Sequence, residues 1–168
     1  MFMSYQRAFT LIELCIVLAL LAILAQIAVP SFQDFLERNQ QQALQDQLAR
    51  AVQHARMHAI THRTRVELCG SIDGVNCHSD WSQGWLFREV KQIAPLSVTR
   101  LAPDKKRLNW SGFQTKIQFT SNGSSPIGNG RFYSCHKQHI SWQLILNRQG
   151  RLRTASSSEN EAEAARCS

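Results

Sequence analysis

From residue 9 to residue 29 the chain is apolar apart from Thr10, Glu13, Cys15 and Gln26, and no other stretch so narrows what it can fold into. As a helix rising about 1.5 Å per residue, a run of this length crosses the roughly 30 Å hydrocarbon layer of a bilayer. The segment is therefore expected in a membrane. Glu13 lies near its start, where an unpaired carboxylate would cost about 2.5 to 3.5 kcal/mol, so the residue needs a partner or a special role. The run is too long for the apolar region of a secretory signal, and Gln26-Ile27-Ala28-Val29-Pro30 is a poor signal-peptidase site.

Beyond Pro30 the helical period resumes. Phe32, Phe35, Leu36, Ala43, Leu44, Leu48, Ala51, Val52, Ala55 and Ala59 recur mostly at spacings of three and four, which predicts an amphipathic continuation over residues 30–62, kinked at Pro30. Seven short segments then read as strands: 65–69, 85–90, 96–101, 116–120, 131–135, 140–146 and 151–155. Turn chemistry separates them, including Pro103-Asp104, Ser111-Gly112 and the Gly-rich stretch 122–130. A long helix followed by strands is an α+β arrangement, the helix covering an antiparallel sheet in a β-rich domain over residues 63–168. Residues 154–165 are small, polar and acidic, a mobile tail unless Cys167 ties it back.

Charge is uneven. Residues 38–153 hold 17 Lys and Arg against 6 Asp and Glu, while Glu159, Glu161 and Glu163 crowd the tail. A basic body of this kind points to a polyanionic partner, or only to a soluble surface. Cys15 reads as an unpaired apolar side chain. In an exported domain Cys69, Cys77, Cys135 and Cys167 form an even set for disulfides. Three connectivities are possible; sequential pairing, Cys69 with Cys77 and Cys135 with Cys167, closes local loops and is favoured. The cysteine spacings do not suit zinc. His54, His58 and His62 share a helix face at i, i+4, i+8, which reads as a metal pair or as an ordinary polar face, and the latter is preferred because no HExxH accompanies them. No nucleophile elbow or phosphate loop occurs, so neither an enzyme nor a cofactor is expected.

The basic stretch Asn147-Arg148-Gln149-Gly150-Arg151-Leu152-Arg153 lies between two strand-like segments. It reads as a hairpin in which Gly150 supplies a positive φ and Arg151 and Arg153 lie two apart on the returning strand. With Arg148 at the turn, three guanidiniums suited to bidentate phosphate contacts gather at one end of a sheet. Arg131 and Lys137 would extend the positive surface. An ordinary solvated hairpin is the competing reading.

Arg7-Ala8 followed by Phe9-Thr10-Leu11-Ile12-Glu13-Leu14 and a long apolar helix resembles the leader of type IV prepilins and pseudopilins. The resemblance implies that a prepilin peptidase removes residues 1–8, cutting between Ala8 and Phe9, where the family usually has glycine before the cut. It implies that Phe9 is N-methylated, and that Glu13 neutralises the amine of a neighbouring subunit. It also implies an inner-membrane protein, N-terminus cytoplasmic and domain periplasmic, that joins other pilins in a surface filament. Gly150-Arg151-Leu152-Arg153 further resembles the GRxR motif of FimT-like minor pilins, whose wider family includes FimU and the GspH pseudopilins and shares a long helix and a two-sheet domain. That resemblance implies sequence-independent binding of the DNA phosphate backbone during natural transformation. The alternative is a structural minor pilin or pseudopilin that primes or caps a type IV pilus or a type II secretion pseudopilus.

Overall fold

The computed structural model describes residues 10–102, 108–136 and 138–167. They fall into two compact units, Met1–Gln40 and Gln41–Ser168. Helix α1, Leu11–Thr61, supplies the regular structure described for the first unit. Its apolar side chains from Leu11 to Leu36 are exposed, and it is long and apolar enough to cross a membrane. The Thr10 hydroxyl accepts from the Glu13 N–H at 3.3 Å, an N-cap contact for a donor that has no partner within the helix. The helix is continuous through Pro30.

In the second unit α1 buries one stripe. Gln41, Gln45, Leu48, Val52, Ala55 and Ala59 alternate spacings of four and three, so they line a single face. Against this stripe lie two four-stranded antiparallel sheets. The strands are β1 (Val66–Gly70), β2 (Gly84–Glu89), β3 (Ser97–Arg100), β4 (Leu108–Gly112), β5 (Lys116–Phe119), β6 (Gly130–His136), β7 (His139–Leu146) and β8 (Leu152–Thr154). One sheet has the order β3-β2-β1-β5, the other β4-β6-β7-β8. Val66, Leu68, Trp85, Phe87, Ile117 and Phe119 of the first and Leu108, Phe132, Trp142, Leu144 and Leu146 of the second form one core with the helix. Ala55 and Ala59 are fully buried; their small side chains let the helix backbone come close to both sheets.

Two glutamines occupy the start of the stripe where the periodicity suggests apolar contact. The Gln41 carbonyl oxygen accepts from the Ser134 hydroxyl at 2.7 Å and from the Trp142 indole N–H at 3.1 Å, so two buried donors of the second sheet are satisfied by the helix. Gln45 donates to Thr154 at 3.3 Å. On the first sheet Glu67 is buried yet holds Arg88 at 2.7 Å and Lys116 at 2.7 Å. Burial alone would raise its pKa, but the hydrogen bonds from Lys116 and Arg88 outweigh that and lower it.

One expectation needs correction. Residues 108–112 form strand β4, where a turn at Ser111-Gly112 was expected, because they pair in register with β6 from Leu108↔Ser134 to Gly112↔Gly130. The acidic tail, by contrast, is tied back through Cys167 as the favoured pairing requires, and it is ordered. Ser157–Ala162 is helix α2, opened by a capping box in which the Ser156 hydroxyl takes the Glu159 N–H and the Glu159 carboxylate takes the Ser156 N–H. A 3-10 turn, Ala164–Cys167, follows. Cys135 is joined to Cys167 and Cys69 to Cys77, with Cα atoms 5.6 and 5.5 Å apart; Cys15 is free.

Helix α1 ends in a Schellman closure. The Thr64 N–H reaches the Ala59 carbonyl at 3.2 Å and the Arg63 N–H the Ile60 carbonyl at 3.4 Å. Arg63 has φ +50°, the position usually given to glycine. A non-glycine residue in this left-handed region costs roughly 1 kcal/mol.

The fold yields a first expectation. The Cys135–Cys167 bond closes a loop of sequence separation 32, so replacing both cysteines by serine should lower unfolding free energy by roughly 3.5 to 4 kcal/mol on the chain-entropy account. Denaturant titration checks this, and an unchanged midpoint would show that α2 is held by its own contacts.

Candidate nucleic-acid interface

The turn between β7 and β8 is built by three local contacts. The Gly150 N–H donates to the Asn147 carbonyl at 3.0 Å, the Asn147 N–H to the Arg151 carbonyl at 3.1 Å, and the Asn147 side chain accepts from the Arg151 N–H at 2.9 Å. Gly150 has φ +73°. A Cβ there would lie 2.1 Å from the Gly123 carbonyl oxygen, so glycine is needed both for the backbone angle and for the close approach. The Arg56 Nε–H of α1 donates to that same carbonyl at 2.9 Å, and the Ser125 N–H donates to the Arg148 carbonyl at 2.9 Å. Helix, hairpin and the loop after β5 thus meet at one point, and the hairpin is docked rather than free.

This docking separates the arginines expected to act together. Arg148 and Arg151 are exposed and have no acidic partner among the described residues. Arg151 lines a groove of about 370 Å³ with Gln53, Arg56, Met57, Gly150 and Leu152. Arg153, by contrast, makes a two-pronged contact to Glu159 of α2, at 2.9 and 2.6 Å. Arg131 is likewise engaged, by Glu163 at 2.8 Å and by the Gln143 side chain at 3.2 Å. Register explains the common fate: Arg131 is opposite Ile145, and Ile145 is opposite Arg153, so both arginines lie in one row across the second sheet. Gln143 on the central strand donates to the Glu159 carbonyl at 3.3 Å and to Asn160 at 3.0 Å, which anchors α2 over that row. Lys137 lies outside the described residues, as do Ala8 and Phe9.

Electrostatics follow the pairing. Hydrogen bonds from Arg153, with a further one from the Ser156 N–H, hold the Glu159 pKa down at about 2, and the same contact raises that of Arg153. Arg166, then Arg131, lowers the pKa of Glu163. Of the helix histidines, His54 and His58 pack on the first sheet and His62 is exposed. His58 lies 3.1 Å from Glu89 and stacks on His62 at 4.0 Å, while His54 meets Phe87 edge-on at 5.0 Å. No cluster of three His, Cys, Asp or Glu side chains able to hold a metal occurs among the described residues.

Sequence reasoning missed Arg56 as part of this site. It lies mid-helix with no local motif, and only the docked loop reveals its use. The acids that cover Arg153 and Arg131 were visible as a charge run, but their targets were not.

Residues 44–150 match the family described as type II transport protein GspH, and residues 3–28 match the prokaryotic N-terminal methylation motif. The chain is 27% identical over 146 residues to the type IV major fimbrial protein FimA of Dichelobacter nodosus, covering 83% of each. It is 42% identical over 67 residues to prepilin peptidase-dependent protein D of Escherichia coli, 40% of this chain and 38% of that one. Among solved structures, the type IV minor pilin FimU of Pseudomonas aeruginosa superposes with a TM-score of 0.56 at 24% identity, over 74% of this chain and 94% of FimU, a likeness of fold. A long helix on two antiparallel sheets, with an N-terminal methylation motif, defines a type IV pilin-like subunit. The chain belongs to the GspH family and is a minor pilin or pseudopilin, anchored in the inner membrane and built into a filament with other pilins.

The Glu159 pairing sets a pH dependence. Its pKa is depressed in the fold relative to the ordinary 4.5, so its contribution is present above about pH 4.5 and is lost as pH falls toward 2. The melting temperature should therefore drop across that window, and Glu159→Gln should flatten the glutamate's share of the drop. Thermal unfolding from pH 6 to 2 measures both, and identical profiles for the two proteins would contradict the pairing.

Proposed function

We propose that this minor pilin binds DNA through phosphate contacts at Arg148 and Arg151, without regard to base sequence, and acts in DNA uptake during natural transformation. The supporting observation is the docked hairpin: Gly150, packed on Gly123 and Arg56, holds two acid-free guanidiniums on a rigid turn. A fork fixed in this way loses less side-chain freedom on meeting a phosphate than one on a mobile tail. Backbone contacts fix position but carry no sequence information, hence the expected indifference to base order. In this reading Gly150 of the GRxR stretch is structural, Arg151 contacts ligand, and Arg153 and Arg131 are held in reserve beneath α2.

Those two ion pairs also favour a second reading, in which the arginines only fasten the C-terminal segment and the chain is a structural subunit that primes or caps a pilus or a type II secretion pseudopilus. The highly exposed Phe113 and Ile93, 77% and 81% accessible, would then face neighbouring subunits.

Salt titration separates the two readings. For the full chain in neutral-detergent micelles, binding to unrelated duplexes should weaken steeply with salt, because each neutralised phosphate adds about 0.9 to the double-logarithmic slope. Arg148→Gln with Arg151→Gln should lower that slope by about two units for every sequence alike. Glu159→Gln should do the reverse, freeing Arg153, tightening binding and steepening the slope by about one unit. No binding by the unaltered chain, even at low salt, would leave the structural reading in place.

A further inference from the structure

The loop after β5 joins the ends of both sheets. In the first sheet Val66 of β1 pairs with Glu89 at the end of β2 and with Phe119 at the end of β5. In the second, Gly130 at the start of β6 pairs with Gly112 and with Leu146, beside the β7–β8 turn. Residues 120–129 connect the two, and α1 ends beside them. The hairpin that carries Arg148 and Arg151 and the strand ends that carry Arg65 and Lys91 therefore lie at one end of the domain.

At that end is a second cleft, of about 420 Å³, lined by Arg63, Thr64, Arg65, Val90, Lys91 and Ser121. Three cations, two hydroxyls and no carboxylate face it. Arg63, Arg65 and Lys91 are exposed and have no acidic partner among the described residues. Glu89, the acid next to the cleft, accepts from His58 at 3.1 Å and from Gln92 at 3.0 Å. Elsewhere on the domain Arg88 is matched by Glu67, Arg131 and Arg166 by Glu163, and Arg153 by Glu159, while Arg100 donates to the Asp73 carbonyl and, like Arg50, meets no acid among the described residues. Arg63 adds an independent sign. It occupies the left-handed cap position at φ +50° where glycine would be free of strain, and a strained residue retained at a surface points to a use for its side chain. The carbonyls of His58, Ile60 and Ala59 near the helix end are taken by the N–H groups of His62, Arg63 and Thr64.

We infer that Arg63, Arg65 and Lys91 form a second phosphate-binding cleft, so that one duplex is held across the end of the domain, from the β7–β8 hairpin over Ser121 to the cap of α1. The inference rests on the DNA-binding reading above. Two clefts on either side of one loop engage successive phosphates of a strand, which a single hairpin turn does not. Binding to duplexes of about 30 base pairs then depends on both clefts, and the salt slope counts the contacts in each.

The test uses the full chain in neutral-detergent micelles with two unrelated duplexes and fluorescence anisotropy at several salt concentrations. Arg63→Gly, Arg65→Gln and Lys91→Gln together should lower the slope by two to three units, at about 0.9 per contact, and weaken binding at least tenfold at low salt. Arg63→Gly alone should lower the slope by about one unit while raising the melting temperature, since glycine suits the cap; weaker binding by a more stable protein cannot be misfolding. A triple variant that binds like the unaltered chain, while Arg148→Gln with Arg151→Gln is impaired, overturns this inference and leaves the DNA-binding reading intact. Failure of the unaltered chain to bind either duplex overturns both.

Discussion

The domain depends on one stripe of α1. Leu48, Val52, Ala55 and Ala59 belong to one core with residues of both sheets, so removal of the stripe would expose apolar surface on each. The alanines matter as much as the larger residues. A larger side chain at Ala55 or Ala59 would push the sheets apart in a close-packed core, where overpacking typically costs about 1 to 3 kcal/mol. Gln41 adds direction to this apolar contact, since its carbonyl oxygen must face Ser134 and Trp142 and a slip along the helix would leave buried donors unpaired.

The same helix ends where the sheets are joined, and this places function beside architecture. Arg56 and Ile60 pack against Gly123, and Gly123 packs against Gly150, so the last turns of α1 fix a hairpin from a distant part of the sequence. Charge is sorted by the same geometry. The row of Arg131 and Arg153 across the second sheet lies under α2 and is neutralised by it, whereas the cations around the end of α1 meet no acid among the described residues. An acidic segment fastened by a disulfide thus neutralises two arginines of the second sheet and leaves those of the hairpin and of the α1 end without an acid among the described residues, and free charge is what a phosphate backbone reads.

Much of this was legible in the sequence, and the exceptions have physical causes. The apolar run and Glu13 announced a membrane helix, the seven strands were placed within a residue or two, and the even set of exported cysteines suggested the two bridges. Gly150 was read as a positive-φ residue from its place in a hairpin. Strand β4 was missed because Asn109, Ser111 and Gly112 carry turn chemistry, and only pairing with β6 makes them a strand. The tail was expected to be tied back through Cys167, but its short helix, signalled by Ser156 three residues before Glu159 in a capping-box spacing, was not read. What local pattern could not supply was partner choice: that Glu159 takes Arg153 while Arg151, two residues away, stays free is decided by the position of α2 over the sheet.

The claim that DNA lies across the α1 end of the domain is tested most directly by photocross-linking. A duplex bearing a photoreactive backbone group is irradiated with the full chain in neutral-detergent micelles, and the attached peptides are read by mass spectrometry. The expected result is attachment within residues 62–65, 90–92, 121–123 and 147–151, lost at high salt. Attachment confined to α2, to the Cys135 end of the second sheet or to the β2–β3 edge would contradict it.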